Sequence, residues 1–207
     1  AVGCASISKS GPGFTGASLY MDPTNAFKIT KLALPKLSIM GIVHSDDDNA
    51  VAFVEEARTK AKALGVTIIS KQVSKSDSPK AAANELIAQG AQAFGVPIDA
   101  YYALRKYEPT TELMEVLDAK KIPLVCYCHV GFSGAIMYVG SEFQVIGALS
   151  GKQAAKILKE GAKPETLPVA IQEDLKILVD LKTSKRLGIE LPLSILQLAK
   201  EVDSERK

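Results

Sequence analysis

The sequence predicts an α/β protein with a Rossmann-like parallel sheet that is covered by helices on both faces. Short, continuously apolar runs recur along the chain, and segments with apolar residues at three- and four-residue spacing lie between them. This alternation is typical of parallel strands joined by right-handed helical crossovers. With 207 residues, 47% of them hydrophobic, the chain is long enough to bury a core around such a sheet.

Each expected element follows from its local pattern. Strands buried on both faces are expected at five apolar runs: 37–43, 66–70, 91–97, 122–128 and 135–140. The helices between them are rich in Ala, Leu, Glu and Lys and are expected at 49–64, 78–89 and 111–121. Beyond Gly140 the sequence predicts a long helix, a strand and two short helical segments, at 142–161, 175–181, 182–188 and 194–202.

Three consecutive acids, Asp46–Asp48, stand between the first of these strands and the first of these helices. Side-chain oxygens at a helix start accept hydrogen bonds from free backbone N–H groups, and negative charge there is favoured by about 0.3–1 kcal/mol. Asp47 or Asp48 is therefore expected to cap the helix. The alternative is a small flavodoxin-like enzyme that holds Mg²⁺ on the three carboxylates, although neighbours in sequence diverge in direction.

Charge and length exclude several classes of partner. The 25 basic residues are scattered among 23 acidic ones, for a net charge of +2, without the one-sided basic stripe that nucleic acid requires. The apolar runs are all far shorter than the roughly 20 residues that cross a bilayer. The opening AVGC resembles a lipoprotein processing site at Cys4, but because no apolar leader precedes it, an incidental thiol is favoured.

Cys126 and Cys128 stand two apart in a predicted strand, so both are expected to point to the same face. A metal site there would need two more ligands, and the adjacent His129 is expected on the opposite face. The two cysteines are therefore interpreted as small buried hydrophobic side chains rather than metal ligands. The three cysteines of the chain cannot form a fully paired disulfide framework and do not decide the redox compartment.

Ligands of open parallel sheets bind outside the carboxyl ends of the strands, and the residues expected there are polar but chemically quiet. They are His44–Asp46, Ser74–Ser76, Ile98 and Asp99, Cys128 and His129, and Gly140–Glu142. Neither GxGxxG, nor a P-loop, nor a GxSxG elbow follows any predicted strand, and GALSGK (147–152) lies within a helical pattern. The sequence therefore predicts neither an enzyme nor a cofactor.

Several stretches of the chain together resemble one family. They are GFTGAS (13–18), IMGIVHSDDDNAVAFVEEARTKAKALGV (39–66), ELIAQGAQAFGVPIDA (85–100), SGAIMYVG (133–140), IGALSGKQAAKILKEGAKPETLPV (146–169) and LKILVDLKTSKRLGIELP (175–192). In these stretches the chain resembles the ABC-transporter substrate-binding proteins of the tryptophan and tyrosine type. The most specific parts are the patterns AAKILKxGxKPxxLPV and LKTxKxLGIxLP, which generic amphipathicity does not explain.

The resemblance implies a lobe of a type I periplasmic-binding-protein-like fold, in which two lobes close about a hinge on a small ligand. It also implies binding of an amino acid or related solute without catalysis, an ABC permease as partner, and a periplasmic or other extracytoplasmic location. Family members carry roughly 100 further residues ahead of the GxTG segment. The expected organisation is an inter-lobe segment at 1–20, a ligand-binding lobe at 21–140, and a crossover helix with C-terminal elements at 141–207.

The same resemblance implies a set of ligand-binding positions. Ser45 and Asn49 would face the cleft at the first strand-to-helix turn, and Thr15 would lie where the chain crosses between lobes. Asp99 would hold the ammonium group of an amino acid through a charge-assisted hydrogen bond. The remaining positions are small residues: Gly134 and Ala135 beside the ligand, and Gly140 at a second crossover.

Two of these assignments have structural alternatives. Asp99 is equally suited to cap a helix that begins with YYALRK, and Tyr101 with Tyr102 is more typical of helix packing than of stacking on a ligand. The chain also departs from the family at two ligand positions. Ala50 stands where the family has a serine, and Ser141 stands where it has an acid.

Without the first lobe, the helix at 142–161 would leave an apolar face uncovered. That face consists of Phe143, Ile146, Leu149, Ala154, Ile157 and Leu158. A homodimer, or a swapped arrangement in which this helix covers a neighbour's sheet, is therefore expected. The alternative function is a ligand-sensing or dimerising interaction domain derived from a single binding-protein lobe.

Overall fold

The computed structural model describes residues 6–128 and 133–203. Cys4 and His129 therefore lie outside the described residues. The chain forms two compact units, the first made of Ala1–Met21 with Gly140–Lys176 and the second of Asp22–Val139 with Ile177–Lys207. The expected division into segments 1–20, 21–140 and 141–207 stays a prediction.

The elements alternate between strand and helix over most of the described chain. The strands are β1 Ala17–Ser18, β2 Ile39–His44, β3 Thr67–Gln72, β4 Ala93–Val96, β5 Leu124–Cys126, β6 Met137–Gly140, β7 Ala170–Ile171, β8 Lys176–Val179 and β9 Lys200–Glu201. The helices are α1 Pro23–Ala33, α2 Asp48–Lys62, α3 Lys80–Ala88, α4 Leu104–Ala119, α5 Phe143–Glu160, α6 Leu181–Leu187 and α7 Leu193–Leu196. Short 3₁₀ helices occur at Ala100–Ala103 and Pro164–Thr166.

The second unit is built on a sheet with strand order β3-β2-β4-β5-β6-β8-β9. Strand β2 pairs in parallel with both β3 and β4, and the pairs β4–β5, β5–β6 and β8–β9 are also parallel. The predicted α/β class with a mostly parallel sheet is therefore confirmed.

Helices pack on both faces of this sheet. On one face, the Tyr127 hydroxyl donates to Met40 Sδ at 3.4 Å. The centroid of the Tyr127 ring lies 5.4 Å from that of Phe27 in α1 and 5.1 Å from that of Phe53 in α2. On the other face, a buried cluster joins strand residues to α3 and α4, with Val43, Phe94, Val96, Leu124, Leu86, Leu113 and Leu117 among its members. Helices cover both faces, as predicted, because adjacent strand residues point to opposite faces of the sheet and both sets of apolar side chains need to be buried.

Helix α1 was not predicted from the sequence. Its start carries a recognisable signal: Asp22 accepts a hydrogen bond from the Thr24 N–H at 2.8 Å, and Pro23 occupies the first turn. Its buried residues Ala26, Phe27, Thr30 and Ala33 recur at the three- and four-residue spacing of a helix face.

Helix α4 begins earlier than the predicted segment 111–121 and is interrupted near its start. Arg105, Lys106 and Tyr107 have left-handed backbone angles, with φ of 48°, 57° and 67°. Helical geometry resumes after Tyr107, so Pro109 lies in the first turn of the regular helix, where proline is tolerated. The guanidinium of Arg105 donates to the carbonyls of Lys75 at 2.6 Å and Asp77 at 3.1 Å, which helps to stabilise the left-handed segment.

In the first unit, β1 pairs in parallel with β7, and α5 packs against both strands. Gly161, with φ of +69°, ends α5 in the left-handed conformation that favours glycine. Gln153 is the one buried side chain of α5 and donates to the Pro168 carbonyl at 2.7 Å. Phe143 and Leu158, both on the apolar face defined above, are 50% and 83% exposed.

Two expectations about the sheet were wrong. Strand β3 was predicted to be buried on both faces, but it is an edge strand in which Thr67, Lys71 and Gln72 are exposed. Segment 194–202 was predicted to be helical, but α7 ends at Leu196 and Lys200–Glu201 pairs with β8 instead. A strand forms there because the edge of β8 offers backbone hydrogen-bonding partners. One of these bonds runs from the Val202 N–H to the Val179 carbonyl at 2.9 Å.

Within the ranges 6–128 and 133–203, the structure contains no helix with the length and apolar character needed to span a membrane.

Candidate functional site

The carboxyl ends of β2 and β4 are joined by a buried pair, Ser45 and Asp99. The Ser45 N–H donates to Asp99 Oδ2 at 2.7 Å, and the Ser45 hydroxyl donates to Asp99 Oδ1 at 2.8 Å. Ser45 is fully buried and Asp99 is 9% exposed. Because β2 and β4 are neighbours in the sheet, this two-bond contact fixes the two strand-end turns against each other.

Asp99 also performs the capping role that the sequence left open. Its Oδ1 accepts from the Tyr101 N–H at 2.9 Å, which caps the 3₁₀ helix Ala100–Ala103 rather than a continuous helix through YYALRK. A carboxylate has about four acceptor positions, and three are used by these donors. The geometry therefore makes Asp99 mainly a positioning group, with capacity for one further donor.

The three acids Asp46–Asp48 separate by role. Asp47 caps α2 by accepting from the Asn49 N–H at 3.0 Å, so the predicted capping role of Asp47 or Asp48 is confirmed. Asp46 forms an ion pair with Lys75 at 3.3 Å, and Asp48 is exposed in the first helical turn. In the part of the chain that the structure describes, no group of three His, Cys, Asp or Glu side chains is placed to hold a metal ion.

Replacing Asp47 with alanine is expected to destabilise the protein by about 1 kcal/mol, because the N–H of Asn49 loses its acceptor. Asp46→Ala is the matched control, since it removes a neighbouring carboxylate whose ion pair is solvent-exposed and is expected to contribute under about 1 kcal/mol. Urea denaturation followed by circular dichroism measures both. Equal losses for the two variants would contradict the capping assignment.

Asn49 is exposed at the start of α2, beside the same turn. Its side-chain amide donates to Asp47 Oδ1 at 3.1 Å. An exposed amide at a helix start can exchange this intramolecular bond for one to a ligand, so Asn49 is the most accessible of the predicted residues at this edge of the sheet.

Tyr101 and Tyr102 pack inside the second unit, as the favoured interpretation of the sequence held. The Tyr101 hydroxyl donates to the Asp77 carbonyl and the Tyr102 hydroxyl to the Val43 carbonyl, both at 2.8 Å. Their rings meet edge to face with centroids 5.1 Å apart. Burial raises the pKa of Tyr101 to about 12 and raises the pKa of Tyr102 as well.

This shift predicts a loss of stability at alkaline pH. An unfolded tyrosine ionises near pH 10, whereas Tyr101 keeps its proton up to about pH 12, so its contribution is complete below pH 10 and is lost as pH rises to 12. Tyr101→Phe should therefore show a shallower decline of unfolding free energy between pH 10 and pH 12, as urea titrations at several pH values across this window would show. An unchanged decline would show that Tyr101 does not titrate with unfolding.

Gly134 and Ala135 precede β6 and lie away from the carboxyl edge of the sheet. Gly134 has φ of +91°, and a Cβ atom there would stand 2.7 Å from Met114 Cε. Ala135 is fully buried, and the next residue, Ile136, donates its N–H to the Leu124 carbonyl at the amino end of β5. These contacts account for small residues at both positions by packing, and their ligand role stays a prediction.

Thr15 and Gly140 belong to the first unit. The Thr15 hydroxyl donates to the Leu167 carbonyl at 2.8 Å, which links the segment before β1 to the segment before β7. Gly140 is buried at the carboxyl end of β6, and Ser141 follows it with a buried hydroxyl. Their ligand-binding roles also stay predictions.

A shallow groove of about 610 Å³ lies in the second unit beside the carboxyl end of β3. Two ion pairs border it, Lys71 with Glu85 at 2.9 Å and Lys75 with Asp46 at 3.3 Å. A third acid, Asp77, also lines the groove, so its charged side chains leave a surplus of one negative charge.

Sequence reasoning missed the contact between Ser45 and Asp99, although it singled out both residues separately. Finding the contact required the strand order, since 54 positions separate the two residues and only the pairing of β2 with β4 brings them together. The available signal was that both residues follow predicted strands and therefore belong to the same edge of the sheet.

Comparison with solved structures gives the class of this fold. The chain is similar to a conserved domain protein of Vibrio cholerae O1 biovar El Tor (TM-score 0.75, 22% identity), covering 90% of this chain and 62% of that one. It is similar to an ABC domain from Streptococcus pneumoniae solved in complex with L-Trp (TM-score 0.75, 24% identity), covering 96% of this chain and 68% of that one.

A third similar structure is the ligand-free, open form of a substrate binding protein with adhesive properties from Clostridium difficile (TM-score 0.76, 22% identity), covering 99% of this chain and 67% of that one. The chain thus spans 62 to 68% of the length of these three proteins. No curated protein sequence matches it.

These structures place the chain in the class of type I periplasmic-binding-protein-like folds. The family model for ABC transporter substrate binding proteins matches residues 4–203. The chain therefore belongs to the ABC transporter substrate binding protein family.

Proposed function

We propose that this chain is the solute-binding component of an ABC uptake system and binds a small amino-acid-like solute without transforming it. The observation that carries the proposal is the family match, which extends over residues 4–203. The polar residues that follow β2 and β4 support it, because ligands of parallel sheets bind at that edge. The partners are then the solute and an ABC permease, and the location is extracytoplasmic.

In this proposal, buried groups at the edge of the sheet hold the turns in place, and accessible groups contact the ligand. Ser45 and Asp99 hold the turns after β2 and β4 in place through their two hydrogen bonds. Asn49 supplies an exposed amide to the ligand, and Asp99 offers its remaining acceptor position to an ammonium group. The family resemblance also assigns Thr15, Gly134, Ala135 and Gly140 to the ligand, although Gly134 and Ala135 precede β6 and lie away from this edge of the sheet.

The proposed mechanism is a population shift of the complete protein toward a closed state in which the ligand makes contacts absent from the open state. No catalytic step is needed. The solved Streptococcus pneumoniae relative holds L-Trp, which makes an aromatic amino acid the first ligand to test.

A thermal-shift screen of the full-length protein against the 20 or so common amino acids, with L-tryptophan included, tests the proposal. Ligand at about 100 times its dissociation constant should add about 2.7 kcal/mol of stability and raise the unfolding midpoint. Sugars at the same concentrations serve as the control panel. A flat response to every amino acid would contradict an amino-acid-like ligand, and a response confined to the sugars would redirect the proposal to another solute class.

A second candidate function is a ligand-sensing or dimerising domain derived from a single lobe. It is favoured by α5, on which Phe143 and Leu158 are exposed. Exposed apolar side chains of this size on one helix are typical of a surface that a partner covers.

Light scattering of the 207-residue chain separates the two candidates. If α5 is covered by a second copy, the mass should correspond to a dimer, and Leu158→Glu should return it to a monomer because a charge would be buried in the interface. Lys159→Glu changes the charge of the neighbouring position and is the matched control. A monomer at millimolar concentration would contradict self-association.

A further inference from the structure

Two thiols meet at the carboxyl end of β5. Cys126 is the last residue of the strand, and Cys128 follows it in a bend. Their Sγ atoms are 3.3 Å apart, and the side chains are 0% and 5% exposed. The two residues therefore form a buried sulfur pair rather than two independent small hydrophobic side chains.

The spacing of the two cysteines is compatible with a disulfide. Residues two apart on an extended strand have Cα atoms separated by about 6.6 Å, which falls within the roughly 4.4–6.8 Å span of disulfide-bonded cysteines. The bend at Tyr127 and Cys128 departs from full extension. Both side chains already point to the same side, with their sulfurs 3.3 Å apart. Because a disulfide needs Cβ atoms about 3.5–4.5 Å apart, the bend as well as the side chains must adjust to form the bond.

The surroundings favour a reaction between the two sulfurs over a reaction of either one alone. Cys126 and Cys128 belong to the same apolar cluster as Leu124, Ala135 and Tyr138. In the described part of the chain, no third metal-binding side chain joins them. Each of the two thiols is therefore a reaction partner within reach of the other.

We propose that Cys126 and Cys128 are a reversible dithiol–disulfide pair that responds to low-molecular-weight disulfides. The Cys128 thiolate attacks one sulfur of the external disulfide, forms a mixed disulfide and releases one thiolate. Cys126 then attacks Cys128 Sγ, its proton passing to the solvent, and expels the second thiolate. Two protein thiols are oxidised to one disulfide, and one external disulfide is reduced to two thiols.

The order of the two steps follows from access. Cys128 is slightly exposed, whereas Cys126 is fully buried. Burial, together with the hydrogen bond to Cys128, raises the pKa of the Cys126 thiol well above its usual range. Cys126 is therefore slow to react with an external reagent and acts as the resolving thiol.

The pair lies at the same edge of the sheet as Ser45 and Asp99, since all of them follow the carboxyl ends of parallel strands. We therefore expect ligand affinity to differ between the dithiol and disulfide forms. This consequence rests on the proposed solute-binding function, whereas formation of the disulfide does not.

The test uses the full chain with Cys4→Ser, so that Cys126 and Cys128 are its remaining thiols. The folded protein is incubated with oxidised glutathione, unfolded in N-ethylmaleimide and analysed by intact mass and peptide mapping. The expected product carries no maleimide, has lost two hydrogens, contains a peptide with the internal disulfide, and returns to two alkylated thiols after dithiothreitol. Circular dichroism before and after oxidation checks that the chain stays folded.

Two variants test the order of attack in the same background. With Cys126→Ser, the single remaining thiol, Cys128, should accumulate one glutathione adduct, while with Cys128→Ser the buried Cys126 should remain alkylatable only after unfolding. The proposal is overturned if the unmutated pair stays fully alkylatable after oxidation, if it takes up two glutathiones, or if it forms disulfides between chains. It is also overturned if the internal disulfide appears only after denaturation.

Discussion

Replacing Asp99 with alanine is expected to lower the unfolding free energy by about 2–4 kcal/mol. The substitution leaves three donors without their acceptor, namely the Ser45 N–H, the Ser45 hydroxyl and the Tyr101 N–H. Buried donors that lose a partner cost about 1–3 kcal/mol each, with partial recovery where water or rotation supplies a substitute. Urea denaturation monitored by circular dichroism measures the loss.

Asp48→Ala is the matched control, because Asp48 is an exposed acid in the first turn of α2 and should cost no more than about 1 kcal/mol. The double variant Ser45→Ala/Asp99→Ala isolates the contact itself. Its loss should fall short of the summed single losses by at least about 0.5 kcal/mol, as expected for residues in direct contact. Additive losses, or an Asp99→Ala variant as stable as the wild type, would contradict a positioning role for the pair.

Replacing Gly134 with alanine is expected to lower the unfolding free energy by about 1–3 kcal/mol, mainly through backbone strain. An L-residue at φ of +91° is strained, and its Cβ would stand 2.7 Å from Met114 Cε, so Met114 would have to move within the core. Gly65→Ala is the control, because Gly65 also has a positive φ, +72°, but has open space around its Cβ position. That variant should lose about 1–2 kcal/mol through backbone strain alone.

The difference in unfolding free energy lost by Gly134→Ala and by Gly65→Ala measures the cost of the contact with Met114. In a Met114→Ala background, Gly134→Ala should cost less than it does in the wild type, since the atom that the new Cβ meets is absent. If both glycine variants lose the same free energy, packing on Met114 does not explain glycine at position 134.

The fold was largely predictable because its central strands carry an unambiguous local signal. Strands β2, β4, β5 and β6 are buried along most or all of their length, and each corresponds to a continuous apolar run in the sequence. The edges of the sheet were not predictable in the same way. Whether a strand such as β3 lies in the centre or at the edge depends on pairing over long distances, which local composition does not encode.

The C-terminal segment also shows that long-range pairing decides where strands form. Residues 194–202 have helical spacing, yet Lys200–Glu201 forms β9 because β8 presents an unpaired edge there. Local propensity gave the wrong answer where a tertiary hydrogen-bonding partner was available.

For the candidate site, the sequence identified which residues follow the strands but not how they contact one another. The capping role of Asp47 could be predicted, because a cap depends on residues within the same turn. The bonds between Ser45 and Asp99 and the sulfur contact of Cys126 with Cys128 could not, because both depend on side-chain geometry that spacing alone leaves open.

The central claim is that a small solute binds at the carboxyl edge of the sheet. Titration of the ¹⁵N-labelled full-length protein with L-tryptophan, or with whichever amino acid stabilises it most, tests this directly by amide chemical shifts. We expect the largest changes at the turns that hold Ser45, Asn49 and Asp99, and none at Gly65 or Lys121, which precede the amino ends of β3 and β5. Changes confined to the amino ends of the strands, with silent signals from Ser45, Asn49 and Asp99, would contradict the account.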